Sequence, residues 1–207
     1  MLVDTFIVLD FETTGLHPDQ GDRITEVAAL RLHNGEVVAR YESLVNCAQR
    51  LPNHIRAFTG INQHMIDTAP APWRVFPELL NFIDGAPVVS HNAAFDQGFL
   101  DFECERLNLP RRGGDFICTV QLARRLLPDM DSHSLKALVR HFKLPGTAEH
   151  RAAPDAEAAA QVLLQLCRLI SKTMPDRAID ATALRWLAAA RHQPQMRHAT
   201  THSVRMA

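Results

Sequence analysis

The sequence has 207 residues, of which 46% are hydrophobic and 22% are charged, and this composition excludes a disordered or collagen-like chain. Charges interrupt its apolar stretches well before the ~20 residues that a membrane helix needs, and its first residues lack the basic start of a signal peptide. The four cysteines are widely spaced and form no CxxC pair. This spacing favours free thiols in a reducing compartment, so we expect a cytoplasmic protein with no membrane partner.

The formal net charge of −1 is unevenly distributed along the chain. Residues 181–207 contain four arginines and no acidic residue, whereas residues 1–180 carry 18 basic and 23 acidic side chains. An acidic body of this kind does not attract a polyanion by its overall charge. If the protein binds nucleic acid, a local feature must therefore neutralise the phosphates.

The first third of the chain predicts three strands. Residues 6–9 form a continuous apolar run that ends in two acids, and such a run is typical of a strand covered on both faces. Asn34-Gly35 joins two strand-like segments at residues 24–33 and 36–45. This dipeptide favours a tight antiparallel hairpin because both turn positions need positive φ.

Helices dominate the rest of the chain. Apolar residues at helical spacing predict helices at residues 76–83, 92–106, 120–127, 135–142, 154–170 and 182–190. Pro77 requires the first of these helices to begin just before it, because proline is tolerated in the first turn and not in the interior. Asn92 and Ser134 are the expected N-caps of the second and fourth helices. Short buried strands are predicted at residues 86–90 and 116–119.

The order of these elements implies an α/β fold. Its mixed sheet is expected to combine an antiparallel hairpin with parallel strands and to be flanked by helices. We expect one domain at residues 1–172. Residues 173–207 are expected to form a linker, the short helix and a basic, disordered C-terminal tail.

Asp10 and Glu12 are two residues apart on a strand, so both side chains project to one face and their charges repel. Burial adds a large desolvation cost unless one acid is protonated, an arginine lies between them or a divalent cation binds both. On a solvated strand end the two acids would instead be ordinary surface charges. The pair alone favours neither interpretation.

Two further segments place an acid at the start of a helix. Asp96 follows His91-Asn92 across a strand-to-helix junction, and the helix dipole alone would account for an acid in the first turn. Pro154 sets the entry to the last long helix, so Asp155 is expected in its first turn and His150 in the loop before it. A lone histidine in a loop is usually a solvated side chain.

Taken together, the three segments indicate a metal site. Four carboxylates in one place are unstable without cations, and a ligand set made only of oxygen suits Mg²⁺ or Mn²⁺ rather than zinc. Two such ions roughly 3.5–4 Å apart stabilise the attacking and leaving oxygens in phosphodiester cleavage. A nearby histidine can take a proton from the attacking water. The combination predicts a metal-dependent phosphodiesterase.

The three motifs resemble those of the DEDD exonucleases of the histidine-containing branch. The matching segments are Leu-Asp-Phe-Glu-Thr-Thr-Gly-Leu at residues 9–16, His-Asn-Ala-Ala-Phe-Asp at residues 91–96, and His150 followed five residues later by Asp155. They occur in the family's order and span nearly the whole predicted domain. The first two are most similar to the motifs of the proofreading epsilon subunits of bacterial DNA polymerase III. The tyrosine-containing branch is excluded because the only tyrosine, Tyr41, is remote from the third motif.

The resemblance implies a ribonuclease H-like fold and removal of nucleoside monophosphates from the 3′ ends of single-stranded DNA, in proofreading or repair. It implies that His150 is the general base and that two Mg²⁺ or Mn²⁺ ions are held by Asp10, Glu12, Asp96 and Asp155. It also implies substrate contacts at Thr13, Thr14, Gly15, Leu16, Asn92 and Phe95. Leu16 resembles a wedge against the terminal base. Residues 58–61, Phe-Thr-Gly-Ile, depart from the family pattern, in which a histidine often precedes the glycine.

Two alternatives remain open. The first is a 3′→5′ exonuclease of RNA similar to ribonuclease T, which shares the four acids and the histidine. The second is a polymerase-associated binding subunit with secondary nuclease activity. The basic tail favours this second alternative, because epsilon-like proteins reach the polymerase through segments beyond the nuclease domain. The simpler account of the tail is one helix anchored by Trp186 and Leu187, followed by a solvated end.

Overall fold

The computed structural model describes residues 4–110, 116–145, 150–175 and 178–189. Its strands are β1 (Thr5–Thr13), β2 (Ile24–His33), β3 (Glu36–Leu44), β4 (Val88–Ser90) and β5 (Ile117–Cys118). Its helices are α1 (Asn53–Thr59), α2 (Gln63–Asp67), α3 (Pro72–Ile83), α4 (Ala93–Arg106), α5 (Thr119–Leu126), α6 (Leu135–Phe142), α7 (Ala152–Thr173) and α8 (Ala181–Ala189). A short 3₁₀ turn at Pro18–Gln20 lies between the first two strands.

The strands form one mixed sheet in the order β3-β2-β1-β4-β5. The pairs β1–β2 and β2–β3 are antiparallel, whereas β1–β4 and β4–β5 are parallel. The predicted hairpin is confirmed, with Asn34 and Gly35 both at positive φ. The α/β class is also confirmed, and β1 lies at the centre of the sheet, as its continuous apolar run indicated.

Side chains of β1 alternate between two hydrophobic layers. Phe6 and Val8 pack in the layer formed with α5, α6, α7 and α8. The intervening apolar residues of β1 pack in the layer formed with α3 and α4. The same alternation carries Asp10 and Glu12 onto the α7 face, at the end of the strand where the apolar run stops.

Two local predictions at helix starts are wrong. α3 begins at Pro72, so Pro77 lies in its interior rather than in its first turn. Pro72 occupies the first turn, where a missing N–H is harmless, and the buried face that includes Phe76 and Leu79 maintains the helix past Pro77. Asn92 does precede α4, but its backbone is left-handed with φ 71° and its side chain makes no capping hydrogen bond to the described residues.

The short helices α1 and α2 have no counterpart among the predicted elements, because segments of seven and five residues carry too little periodicity. Ile66 of α2 packs with Cys47, Leu51 and Ile61 in a separate small hydrophobic cluster. This cluster anchors the segment on which Phe58 lies.

The described C-terminal part of the chain packs on the core. α8 places Leu184 and Leu187 in the same hydrophobic layer as α7. Trp186 is 61% exposed, so it does not anchor this helix as expected. Residues 176–177 and 190–207, which include most of the predicted basic tail, lie outside the described residues. None of the described helices combines the length and apolar character that crossing a membrane requires.

Candidate active site

The end of β1 and the start of α7 bring three of the predicted acids together. One carboxylate oxygen each from Asp10, Glu12 and Asp155 lie within 4.8 Å of one another. Asp155 is in the first turn of α7, which packs on the face of the sheet toward which Asp10 and Glu12 project. Glu12 and Asp155 are buried, and Asp10 is half-buried.

Asp96 approaches the end of β1 from the other hydrophobic layer, where α4 packs. It lies in the first turn of α4, is 2% exposed, and its Oδ1 accepts a hydrogen bond of 3.2 Å from the backbone N–H of Phe11. Phe11 lies between Asp10 and Glu12. The fourth predicted acid is therefore next to the other three, although it is outside their 4.8 Å cluster.

Burial and mutual repulsion disfavour the ionised form of these acids. Burial, followed by the charges of Asp96 and Asp155, raises the pKa of Asp10 well above its usual range. The pKa of Glu12 is raised from 4.5 to about 8, first by burial and then by the charges of Asp155 and Glu26. Burial also raises the pKa of Asp96, against hydrogen bonds that lower it. Without added positive charge, such a cluster holds protons near neutral pH.

This donor set fits divalent cations. The carboxylates offer only oxygen atoms, which are the ligands that Mg²⁺ and Mn²⁺ prefer. The charge of Arg151 lowers the pKa of Glu12, but its guanidinium is hydrogen-bonded to a different carboxylate, that of Glu26. When these acids are ionised, they concentrate negative charge that bound cations would neutralise.

Glu26 and Arg151 are part of the site but were not identified from the sequence. Glu26 lies on β2 directly opposite Glu12 and is 8% exposed. Its carboxylate accepts hydrogen bonds from Nε of Arg151 at 3.0 and 3.1 Å, from Nη2 of Arg151 at 2.5 Å, and from the backbone N–H of Ala152 at 2.9 Å. Glu26 thereby binds the start of α7, the helix that carries Asp155. The available signal was an acid directly before the apolar run at residues 27–30 of this strand.

The loop after β1 is folded around Asp22. This carboxylate accepts hydrogen bonds from the backbone N–H of His17 at 3.0 Å and from the hydroxyl of Thr14 at 3.2 Å. The hydroxyl of Thr13 donates to the carbonyl of Gly15 at 2.6 Å. A Cβ atom on Gly15 would collide with the carboxylate of Asp22, so any other residue here would displace that side chain and its hydrogen bonds to the loop.

The predicted substrate residues differ in accessibility. Leu16 is 70% exposed in the loop after β1, and Asn92 is exposed at the start of α4. Thr13 and Thr14 are buried, and their hydroxyls are engaged within the loop. Phe95 is half-buried against Phe99, with ring centroids 4.8 Å apart. Leu16 and Asn92 are thus accessible to a ligand, and the roles of all these residues in substrate binding remain predictions.

His150 lies two residues before the start of α7. It is exposed, and its backbone is left-handed with φ 55°. Its imidazole stacks on the ring of Phe58 from α1, with centroids 3.7 Å apart and an interplanar angle of 26°. The predicted general base is therefore in contact with the residue that opens the segment departing from the family pattern.

A second histidine, His91, has a different character. Its Nδ1 is 2.9 Å from the hydroxyl of Thr119, and burial lowers its pKa to about 4, against the raising effect of a backbone hydrogen bond to His133. A histidine in this state is neutral throughout the physiological range. His91 therefore joins β4 to neighbouring segments and is a poor candidate for a base near neutral pH.

Comparisons with known proteins agree with this geometry. The family model described as exonuclease matches residues 7–163. The DNA polymerase III PolC-type of Oceanobacillus iheyensis is 38% identical over 174 residues, which are 84% of this chain and 12% of that protein. The corresponding protein of Thermotoga petrophila is 36% identical over 168 residues, which are 81% of this chain and 12% of that protein. The chain thus spans about an eighth of the length of the curated relatives it matches.

Solved structures give the same fold. Exonuclease X in complex with 5′-overhanging duplex DNA has a TM-score of 0.66 and 29% identity, over 88% of this chain and 99% of that one. The nuclease domain of 3′hExo, a DEDDh family member bound to rAMP, has a TM-score of 0.71 and 16% identity, over 80% of this chain and 92% of that one. The fold is the one that these exonucleases share, in agreement with the expected ribonuclease H-like class.

Proposed function

This chain belongs to the exonuclease family whose model covers residues 7–163, and from that premise we propose that it removes nucleoside monophosphates one at a time from the 3′ ends of single-stranded DNA. The observation that carries the proposal is the convergence of Asp10, Glu12 and Asp155 within 4.8 Å, beside the buried Asp96. Such a cluster suits phosphodiester hydrolysis because that reaction concentrates negative charge where cations can neutralise it.

The four acids would hold two divalent cations, Mg²⁺ or Mn²⁺. When bound, these ions neutralise the scissile phosphate and lower the pKa of water at the site. The protein supplies the rigid support for them: Asp10 and Glu12 extend from the central strand, and Asp96 and Asp155 from the first turns of two helices packed on the sheet. The rest of the protein is acidic and does not attract DNA by its overall charge. The bound cations would therefore also serve to attract the phosphates of the DNA backbone.

His150 would act as the general base. In our proposal its imidazole takes a proton from the attacking water as a new O–P bond forms and the bond between phosphorus and the 3′ oxygen of the preceding nucleotide breaks. That oxygen takes a proton from solvent and stays on the shortened strand as its new 3′ hydroxyl, and the terminal nucleotide leaves as a 5′-monophosphate. Leu16 extends from the loop after β1 with 70% of its surface exposed, and it would pack against the terminal base. The buried contacts of Asp22 and Gly15 would hold the backbone of that loop in place.

DNA is proposed as the substrate rather than RNA. The relatives at 36–38% identity are DNA polymerases by name, and the structure at 29% identity contains duplex DNA. The structures that contain rAMP or are described with histone mRNA are only 16% identical, a level that supports the fold alone. The alternative is a 3′→5′ exonuclease of RNA, and a direct comparison of DNA and RNA strands tests it.

Product analysis tests this function. Matched DNA and RNA strands, labelled at the 5′ end or at the 3′ end, would be incubated with the protein and Mg²⁺ or Mn²⁺. We expect the 5′-labelled DNA to shorten stepwise and the 3′ label to appear at once as mononucleotide. Faster degradation of the RNA strand would contradict the substrate, and release of the 5′ label as the first product would contradict the direction.

The role of His150 is tested by His150→Ala, with the exposed His141 of α6 as a matched control. We expect His150→Ala to bind single-stranded DNA but to cleave it at least ~10²-fold more slowly, the usual scale for a general base. His141→Ala should cleave at the wild-type rate. Unchanged turnover in His150→Ala would remove this histidine from the mechanism.

The cellular setting is a further part of the proposal. The PolC-type relatives support a role in proofreading or repair beside a DNA polymerase, to which the basic C-terminal tail would bind. A pull-down with a purified polymerase subunit, with and without residues 190–207, tests this association. The truncation should spare α8 because Leu184 and Leu187 are buried in the core.

A cytoplasmic location also stays a prediction, which cell fractionation would check.

A further inference from the structure

The ring of Phe58 has no role in the hydrophobic core. Its side chain is on α1, is 56% exposed, and belongs to none of the buried clusters formed by the described residues. Its one described ring contact is the stack on His150, with centroids 3.7 Å apart and planes 26° apart. Core packing therefore does not explain an aromatic residue at this position.

His150 has few other constraints among the described residues. No hydrogen bond from them reaches either of its ring nitrogens, and its backbone has the left-handed φ of 55°, which is costly for a residue other than glycine. A general base normally needs a third group that orients it, and in catalytic triads this group is a hydrogen-bonded carboxylate. Here the aromatic stack occupies that place.

The support behind Phe58 is rigid. The next residue, Thr59, is 3% exposed, and its hydroxyl donates to the carbonyl of Ile55 at 2.9 Å and accepts from the backbone N–H of Ile61 at 3.1 Å. Ile61 in turn is fully buried in the small cluster beside α1. The end of α1 is thus fixed, and with it the backbone from which the Phe58 ring extends to His150.

We propose that Phe58 is a positioning residue that holds the imidazole of His150 in the orientation needed for proton transfer. The stack covers one face of the imidazole, and its ring nitrogens accept or donate no hydrogen bond among the described residues. The inference rests on the proposed function, in which His150 is the general base. It assigns a role to the Phe-Thr-Gly-Ile segment at residues 58–61 that differs from substrate contact.

The test is a double-mutant cycle on the full chain, measured as kcat and KM on single-stranded DNA with saturating Mn²⁺. Phe58→Leu keeps an apolar side chain but removes the ring, and Phe58→Tyr keeps the ring. We expect Phe58→Leu to lower kcat roughly tenfold with little change in KM, the scale of one aromatic contact, and Phe58→Tyr to retain the wild-type kcat. Trp73→Ala, at another exposed aromatic residue, on α3, should leave both constants unchanged.

Making Phe58→Leu in the His150→Ala enzyme distinguishes a role in positioning His150 from a role in substrate binding. Because Phe58 acts through His150, Phe58→Leu should cause no further loss in a His150→Ala enzyme. A full kcat in Phe58→Leu, a change confined to KM, or an undiminished tenfold loss in the His150→Ala background would overturn the inference while leaving the proposed function intact. A fully active His150→Ala enzyme would instead contradict the role of His150 itself, and this inference would fall with it.

Discussion

Arg151 and Glu26 join the helix and the strand on which the acid cluster depends. Three guanidinium hydrogen bonds between 2.5 and 3.1 Å connect them across 125 residues of sequence. Glu26 lies opposite Glu12 in the sheet, and Arg151 is the residue that precedes α7. The pair therefore sets where the first turn of α7, with Asp155, meets the end of β1.

Breaking this ion pair should lower the free energy of unfolding by more than breaking an exposed ion pair. Arg151→Ala leaves the buried Glu26 carboxylate with the backbone N–H of Ala152 but without its positively charged partner. Because the Arg151 side chain is itself half-buried, we expect a loss of ~2 kcal/mol in the free energy of unfolding, below the range for a fully buried pair, together with weaker Mn²⁺ binding. The control is Arg40→Ala, which breaks the exposed pair between Arg40 and Glu157 on the same helix and should cost ~1 kcal/mol or less. Urea denaturation and metal titration measure both effects. Equal losses in the two variants would show that the pair does not support the site.

A methyl group at Gly15 should disrupt the loop after β1. A Cβ atom there collides with the carboxylate of Asp22, which holds the loop by hydrogen bonds from Thr14 and His17. We expect Gly15→Ala to raise KM for single-stranded DNA about tenfold or more, because the exposed Leu16 moves with the loop. Gly98→Ala is the matched control, since a Cβ atom on this α4 glycine meets no described atom within 4 Å and alanine favours the helix. A normal KM in Gly15→Ala would contradict this account of the loop.

The acid cluster predicts an unusual dependence of stability on pH in the presence of a chelator. The folded protein keeps a proton on Glu12 up to a pKa of about 8, whereas the unfolded chain loses it near the ordinary value of 4.5. Between these values the folded state binds more protons, so its stability should fall as pH rises through this window. Thermal unfolding should show a melting temperature at least ~3 °C lower at the upper pH limit of this window, about 8, than at its lower limit of 4.5.

Divalent cations should reverse this trend. Metal binding requires deprotonated carboxylates, so stabilisation by Mn²⁺ should grow over the same pH interval. In Glu12→Gln the metal-free decline should be smaller, because one of the shifted acids is absent. A melting temperature that rises with pH in chelator, or one that Mn²⁺ does not change at the upper pH, would contradict the assignment of the cluster.

Local sequence patterns were sufficient to predict the central strand of the sheet and the positions of the acids on their strand and helix. The apolar run of β1 identified a central strand, and its period of two residues placed Asp10 and Glu12 on one face. Asp155 was predicted correctly in the first turn of α7, because Pro154 restricts the start of that helix. These features depend on neighbours within a few residues, which a single sequence displays directly.

Contacts between distant segments were not predictable in this way. The partner of Arg151 lies 125 residues away, and nothing in either segment specifies that the two side chains meet. The stack of Phe58 on His150 depends on α1, a helix too short to give a periodic signal. Pro77 shows the converse: a local rule placed the helix start too late, because the buried face of α3 outweighs the missing hydrogen bond.

Cleavage should depend on divalent cations that the acid cluster binds. The most direct measurement is the rate of mononucleotide release from a 3′-labelled DNA strand by Asp155→Asn, compared with Asp129→Asn at an exposed turn, in Mg²⁺ or Mn²⁺ and in excess chelator. Our account predicts a loss of ~10²-fold or more in Asp155→Asn, wild-type activity in Asp129→Asn, and no activity of any variant in chelator. Wild-type cleavage by Asp155→Asn, or cleavage that persists in chelator, would contradict it.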